Sequence, residues 1–390
     1  MSEKVKISIV LADIPAYSET FINSKIKGLI NNKKQVSLFV NKSSRELNSQ
    51  INVPVYIQLN IKKRLNIIAK LFLLLIKKPL VLFRFIYIEY DLGITLYDIF
   101  KHLILNYHIL LHKADWIHFE FSTLGIGREN VAKAIGAKLS TSIRGFDIGL
   151  YPFKNPRCYD LLWKRIDKIH TISNDLYTSA LKLGLSDKVN VHKITPAVDP
   201  ELFPLIKKNN FNNPFMILSV GRLVWKKGFE YSLKALHILK KEGFKFKYTI
   251  VGDGEYRDSI LYSINQFNLQ DDVVLKGALS HKDTLKEMTL SDIYLQPSIQ
   301  EGFCNAALEA QAMGLLCVVS DAEGLSENVL NNKTGWVVKK RNSELIANQI
   351  RLIINTKFSK LEQIRQAGIL RVKSDFNFLS QEQEWNCFYE

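Results

Sequence analysis

Cysteine is scarce: the 390 residues hold four, Cys158, Cys304, Cys317 and Cys387, scattered, with no CxxC pair and no Cys/His cluster. That spacing argues against a disulfide framework and against a structural zinc site. Long apolar runs are missing too. In the first part of the strongly apolar stretch 62–113, the longest uncharged apolar block is Leu71–Ile76, whereas a spanning helix needs roughly 20 residues. Met1–Val10 leads from charged residues into a strand-like run without the apolar core of a signal peptide, so the chain reads as cytosolic. No G-x-x-x-x-G-K-[ST] loop occurs, and no helix-turn-helix, RNP or zinc-finger pattern, so neither a P-loop nor base readout of nucleic acid is expected. No convincing D-x-D stands at a strand end. Disorder and collagen are excluded by an ordinary mix, 47% hydrophobic and 23% charged.

What is present is length enough for two or three domains, at roughly 100–200 residues each, and a basic surplus. Lys and Arg number 53 against 38 Asp and Glu, a formal net charge of +15. The surplus is lopsided: residues 1–200 hold 29 basic against 16 acidic residues, and the remainder 24 against 22. A solvated basic surface accounts for this, and so does an anionic partner of the first half. Residues 62–113 interleave Lys and Arg with short apolar and aromatic blocks, and Pro79 should split any helix there. Helices of that composition can lie in the plane of a membrane interface. They can also pack on a sheet with Lys62, Lys63, Arg64, Lys77 and Lys78 solvated. The expectation is a peripheral contact with an anionic membrane.

Strand-like runs alternate with helical patterns throughout. In the first half the strands are Val5–Leu11, Gln35–Val40, Trp116–Phe121, Ala137–Ile143 and Ile166–Ile172, with a helix over Glu19–Ile30. In the second they are Phe215–Val220, Lys247–Val251, Val273–Leu275, Ile293–Gln296, Leu316–Ser320 and Trp336–Val338. The helices between them cover Phe229–Glu242, Tyr256–Asn268 and Asn305–Met313. This alternation predicts parallel βαβ units in two doubly wound α/β halves. Thr195–Pro214, with four prolines and an Asn-rich end, reads as the linker. Ligands of such sheets bind outside the carboxyl ends of the strands, so a cleft where two sets of ends meet is expected.

Four groups sit where such a ligand would lie. Gly221-Arg222-Leu223-Val224-Trp225-Lys226-Lys227-Gly228 joins a strand to a helix and brings long cations to a helix entrance, a setting that suits phosphate. Gly252-Asp253-Gly254 follows the next strand and can either admit a ligand or turn the chain. In Pro297–Ala310, Glu301 precedes a helix and Glu309 lies about two turns inside it. The amides of Gly302, Phe303, Cys304 and Asn305 open that helix and can donate, while carboxylates can accept from sugar and ribose hydroxyls. Glu323-Gly324-Leu325-Ser326-Glu327 follows another strand.

The order G-R-L-x-x-x-K-G, V-G-D-G, P-S-x-x-E-G-F-x-N-x-x-x-E and T-G-W resembles the GT4 family of retaining glycosyltransferases over Phe215–Val338. The first half resembles the family less closely, through Ser18-Glu19-Thr20-Phe21, through Asp115–Phe121 and through Ser142–Asp147. Glu120 and Arg144 stand where the family commonly has histidines, and Asp13–Tyr17 replaces the usual glycine pair.

The resemblance implies a GT-B fold: two Rossmann-like doubly wound domains facing a central cleft. Residues 1–197 would form an acceptor-binding domain, joined by a crossover tail at about 376–390, and residues 198–375 a nucleotide-sugar-binding domain. It implies Arg222 and Lys227 as cations on the leaving diphosphate, Glu301 on the donor sugar and His118 beside the reacting centre. Gly221, Gly252, Gly254, Lys276, Glu309 and the amides of Gly302–Asn305 would serve donor binding. Glu19, Thr20, Glu120, Arg144 and Asp147 become acceptor-side candidates. No metal and no cofactor are expected, only a UDP- or GDP-sugar co-substrate. The acceptor would be a glycan or lipid-linked precursor of cell-envelope polysaccharide or lipopolysaccharide, handled at the inner face of the cytoplasmic membrane. A soluble transferase on a small molecule, a nucleotide-sugar epimerase and a non-catalytic glycan- or nucleic-acid-binding chain are the competing readings.

Overall fold

The computed structural model describes residues 4–15, 20–43, 52–59, 64–206, 208 and 210–390, the side chains of 20 and 64–66 excepted. The chain forms two α/β units, Met1–Ile194 with Glu382–Glu390, and Thr195–Gln381.

The first unit is built on a seven-stranded sheet in the order β3-β2-β1-β4-β5-β6-β7. Its strands are β1 Lys6–Leu11, β2 Gln35–Val40, β3 Val55–Ile57, β4 Trp116–Phe119, β5 Lys138–Ile143, β6 Lys168–Thr171 and β7 Asn190–Lys193. All neighbouring pairs are parallel. A parallel sheet is covered on both faces, which is why β1 reads as a near-continuous apolar run and is buried over its last five residues. Helix α1 (Thr20–Asn31) follows β1, and the crossover from β3 to β4 is made of three helices, α2 (Arg64–Lys77), α3 (Pro79–Asp91) and α4 (Leu96–Leu110). Pro79 breaks the apolar stretch as expected: α2 ends two residues before it and α3 starts on it, where the missing N–H costs nothing.

The second unit has six parallel strands in the order β10-β9-β8-β11-β12-β13. They are β8 Phe215–Val220, β9 Phe246–Val251, β10 Val273–Gly277, β11 Ile293–Gln296, β12 Leu316–Ser320 and β13 Trp336–Val338. In each sheet the order reverses once, between β1 and β4 and between β8 and β11. Such a reversal opens a crevice at the carboxyl ends of those two strands. It sets the loops after β8 and β11 side by side.

The linker and the two edge strands differ from the sequence reading, whereas the closing helix crosses back to the first unit as expected. The expected linker is strapped along the second unit. The Ile206 N–H donates to Met313 O at 2.8 Å, Lys208 Nζ lies 2.8 Å from Asp292 Oδ1, and the Asn212 N–H donates to the same carboxylate at 3.2 Å. Its prolines therefore shape a packed strap and not a tether. The edge strands β3 and β7, three and four residues long, are too short to show a period in the sequence. In the closing helix Phe378–Phe388, Trp385 and Phe388 enter the core of the first unit together with Tyr389 just beyond it. Trp116 Nε1 donates to Tyr389 O at 3.1 Å and Lys168 Nζ to Phe388 O at 2.6 Å.

Candidate active site

The loop after β8 and the loop after β11 are tied backbone to backbone. The N–H groups of Ile299 and Gln300 both donate to Lys226 O, at 2.7 and 3.2 Å. Gly228 makes the approach possible. It sits at φ +65°, and a Cβ there would lie 2.4 Å from Pro297 O. The result brings Lys227 onto Glu301, Nζ to Oε2 2.5 Å, with each side chain 12% exposed. Burial pulls the Lys227 ammonium down, but the Glu301 carboxylate outweighs it and holds the group above its usual range. Lys226 goes the other way, lowered by burial and by the neighbouring Lys227 and Arg222 cations. Arg222 is exposed and, among the described residues, has no side-chain partner. Three cations crowd one loop, and among the described residues Glu301 is the only carboxylate ion-paired within it, so the loop favours an added anion.

Glu301 is held from several sides. Ser298 Oγ donates to its Oε2 at 3.3 Å, and its own N–H donates to Glu323 Oε2 at 2.7 Å. Lys340 Nζ in turn meets Glu323 Oε1 at 3.1 Å. The sequence reading set the Glu323–Glu327 loop at the ligand edge without giving Glu323 a role, and Lys340 was not foreseen.

Helix Asn305–Ala312 starts here. Among the described residues the N–H groups of Gly302, Phe303 and Asn305 have no partner, so they are free to donate. Cys304 is a correction: its N–H donates to Asn328 Oδ1 at 3.1 Å, and Asn328 Nδ2 donates back to Cys304 O at 3.1 Å. That amide is spent on the fold. The Cys304 thiol is buried and pushed up by burial, which makes it inert.

Glu309 projects from the same helix and meets His281 Nε2 at 3.1 Å. The hydrogen bond to Glu309 raises His281 above its ordinary value. His281 was not foreseen; it opens helix His281–Leu290, and only the tertiary fold brings it to Glu309. Lys276 is paired with Glu287 of that helix, Nζ to Oε1 2.6 Å.

At Gly252 and Gly254 the structure shows the chain-turning alternative. A Cβ on Gly252 would lie 1.9 Å from Gly221 O, and one on Gly254 2.4 Å from Leu223 O. Their small size serves loop-on-loop packing beside the site. Gly221 is different: a Cβ there would meet Lys227 Cε at 3.1 Å, so Gly221 leaves the lane in which the Lys227 stem runs.

In the first unit the candidate residues form a buried ionic cluster. Lys25 of α1 is ion-paired with Glu120, which also meets Arg144 Nη2 at 3.2 Å and His118 Nε2 at 3.6 Å. Lys25 Nζ sits 3.8 Å above the Trp385 ring. Burial lowers Lys25 to about 8. Burial raises Glu120, but Lys25 and Arg144 outweigh it and hold the carboxylate low.

His118 corrects the sequence reading. It is fully buried beneath the closing helix, with Nδ1 2.8 Å from Ser140 Oγ and Nε2 2.9 Å from Ser142 Oγ. Burial, and then Lys25 and Arg144, drive it well below its ordinary value, so it is neutral and its ring nitrogens are committed. It is in no position to meet a sugar. Glu120 is likewise enclosed, and so is Asp147, whose Oδ1 accepts from Thr123 N and Oγ1 while its Oδ2 has no partner among the described residues. Burial pushes Asp147 up to about 6. Arg144 alone of these keeps partial access, 13% exposed, with its guanidinium 4.0 Å over the Phe21 ring. Glu19 and the Thr20 side chain lie outside the described residues.

Known proteins resemble the chain at two levels. By sequence, residues 204–371 match the family model for glycosyl transferases group 1. The amylovoran biosynthesis glycosyltransferase AmsK of Erwinia amylovora is 27% identical over 67% of this chain and 66% of its own length. The capsular polysaccharide biosynthesis glycosyltransferase CapM of Staphylococcus aureus is 31% identical over 43% of each. The N,N'-diacetylbacillosaminyl-diphospho-undecaprenol alpha-1,3-N-acetylgalactosaminyltransferase of Campylobacter jejuni is 26% identical over 61% of this chain and 64% of its own. The chain thus matches these relatives over two thirds of their length or less. By structure, Anabaena HepE in complex with UDP-glucose superimposes with a TM-score of 0.71 at 17% identity, covering 98% of each chain. That likeness extends the fold beyond the matched segment to both sheets. Residues 204–371 thus resemble the glycosyl transferases group 1 model, and the chain as a whole has the GT-B fold of two Rossmann-like units.

Proposed function

We propose that this chain is a retaining, metal-independent glycosyltransferase of the GT4 type. It moves a sugar from a UDP- or GDP-sugar to a glycan or lipid-linked acceptor in cell-envelope polysaccharide or lipopolysaccharide synthesis, on the cytoplasmic side. The observation that carries this reading is the cation loop after β8, with Lys227 anchored on Glu301 and Arg222 without a partner among the described residues, next to amides free among them at the start of helix Asn305–Ala312.

The hard step is departure of a nucleoside diphosphate from the anomeric carbon. Negative charge grows on the leaving oxygen, and fixed cations aimed at it are the largest contribution a site can make. Arg222 and Lys227 supply them. Glu301, steadied by Ser298 and through its backbone by Glu323, accepts from the donor sugar hydroxyls, and the Gly302, Phe303 and Asn305 amides add hydrogen bonds. Glu309 exchanges His281 for the ribose hydroxyls. With His118 and Cys304 both committed to the fold, the reading takes the leaving-group face for the acceptor's attack and invokes no covalent sugar on a side chain. A trapped glycosyl-enzyme adduct would refute that route. The second unit takes the donor and the first unit recognises the acceptor. UDP-glucose in HepE and the lipid diphosphate named for the Campylobacter relative support the donor and acceptor classes.

The test is a thermal-shift screen of UDP, GDP, ADP and their sugars, since a ligand of the native state raises its apparent stability. Saturable stabilisation by one nucleotide series, lost in Arg222→Ala, supports the reading. No shift with any of them sinks it. An epimerase would release nucleoside diphosphate with no acceptor present, which separates that alternative.

A further inference from the structure

The three helices that carry the chain from β3 to β4 turn an apolar face outward. Among the described residues, 13 of the 29 exposed large hydrophobic side chains fall between Ile68 and Phe100. On α2, Ile68, Phe72 and Ile76 follow one another at steps of four and are 62–68% exposed, while Ile67 and Leu74 are buried. On α3, Leu80, Phe83, Tyr87 and Tyr90 recur at steps of three and four with 60–78% exposure, opposite the buried Leu82, Phe85 and Ile88. Helix α4 opens with Leu96 and Tyr97 exposed. The three helices pack on one another. A helix on a water-facing surface carries its apolar stripe on one side only. Here both faces of α2 and α3 are apolar, and a continuous exposed apolar patch marks a contact surface.

The charge around the patch selects its partner. Among the described side chains of residues 67–113, six are Lys or Arg and three are Asp or Glu. Two of the three acids are engaged: Glu89 with His102 at 2.8 Å and Asn130 at 2.9 Å, and Asp98 with Lys101 at 3.0 Å. Lys77 and Lys78 stand at the junction of α2 and α3, and Lys101 Nζ lies 4.0 Å from the Tyr97 ring centroid. Pressing two such faces together would set like charges against like, which disfavours a second copy of the chain. A protein groove would have no use for so broad a cationic margin. A layer of anionic headgroups over an apolar interior complements both features at once, and tyrosines suit that boundary. No helix among the described residues is long and apolar enough to cross a membrane.

We propose that the outward face of α2–α4 is a docking surface for an anionic lipid bilayer, on which the helices lie in the interface plane. Phe72, Phe83 and Tyr87 enter the acyl boundary, and Lys77, Lys78 and Lys101 meet the headgroups. This does not depend on the transferase reading, and its test needs no nucleotide.

The full chain is floated with vesicles of phosphatidylglycerol and phosphatidylcholine, and with phosphatidylcholine alone. The native chain should rise with the anionic vesicles and leave them as salt increases. The triple variant Phe72→Ser, Phe83→Ser, Tyr87→Ser should bind about tenfold less or weaker still, with native circular dichroism because these side chains are exposed. Should that variant fail to fold, Lys77→Glu with Lys78→Glu carries the test and should lose the anionic vesicles. A native chain left in the dense fraction overturns the proposal, and so does binding indifferent to both variants. A native dimer that the triple variant dissolves, with no vesicle binding, overturns it in favour of self-association.

Discussion

Lys227→Ala separates a phosphate cation from a structural one. Lys227 Nζ lies 2.5 Å from Glu301 Oε2 with both side chains 12% exposed. Truncation does two things. It removes a cation from the leaving diphosphate, about 3 kcal/mol or ~10²-fold in kcat/KM. It also strands a mostly enclosed carboxylate, which costs about 1–3 kcal/mol of folding stability. The double variant Lys227→Ala, Glu301→Gln disentangles them. Gln keeps hydrogen-bonding capacity without charge, so the stability loss should largely disappear while kcat/KM stays at least ~10²-fold below Glu301→Gln alone. The assay is initial-rate release of nucleoside diphosphate over a donor series, with thermal melting in parallel. If the double variant returns to within about threefold of Glu301→Gln, Lys227 only positions Glu301 and the reasoning is wrong.

Three other outcomes follow. Gly252→Ala should lower the unfolding free energy from urea titration by about 3 kcal/mol or more, because the new Cβ meets Gly221 O at φ +143°, whereas Gly243→Ala, at φ +84° in open space, should cost only about 1 kcal/mol. Equal losses would refute the loop-on-loop account. Asp147, raised to about 6 in the fold from a usual 3.8, holds its proton longer folded than unfolded. Its contribution to stability is therefore present at low pH and lost as pH rises from about 4 to about 6, by ~3 kcal/mol. Denaturation series at several pH values should show that slope flattened in Asp147→Asn, and an unchanged slope would exonerate the residue. Dialysis against EDTA should leave nucleotide-sugar turnover intact, and loss restored by a divalent ion would overturn the metal-independent reading.

The parts of this protein that depend on neighbours in the chain were legible in its sequence. Apolar runs such as those of β1, β8 and β12 and the helical spacing between them set two parallel sheets, and Pro79 divided α2 from α3 as a missing N–H requires. The cation loop after β8 and the Glu301 loop after β11 could be picked out because strand-to-helix junctions are where such sheets present ligands. Edge strands β3 and β7 escaped notice because a run of three or four residues is too short to show a period. Tertiary structure alone decided the chemical state of the side chains. His118 and Glu120 looked available on β4 and its exit, yet Trp385, Phe388 and Tyr389 arrive from the far end of the chain and enclose them. Asp292 turned a proline-rich linker into a strap, and His281 reached Glu309 from another helix. Backbone conformation answers mainly to residues within a few positions, whereas burial and charge pairing depend on whatever the fold lays on top, and that is written elsewhere in the chain.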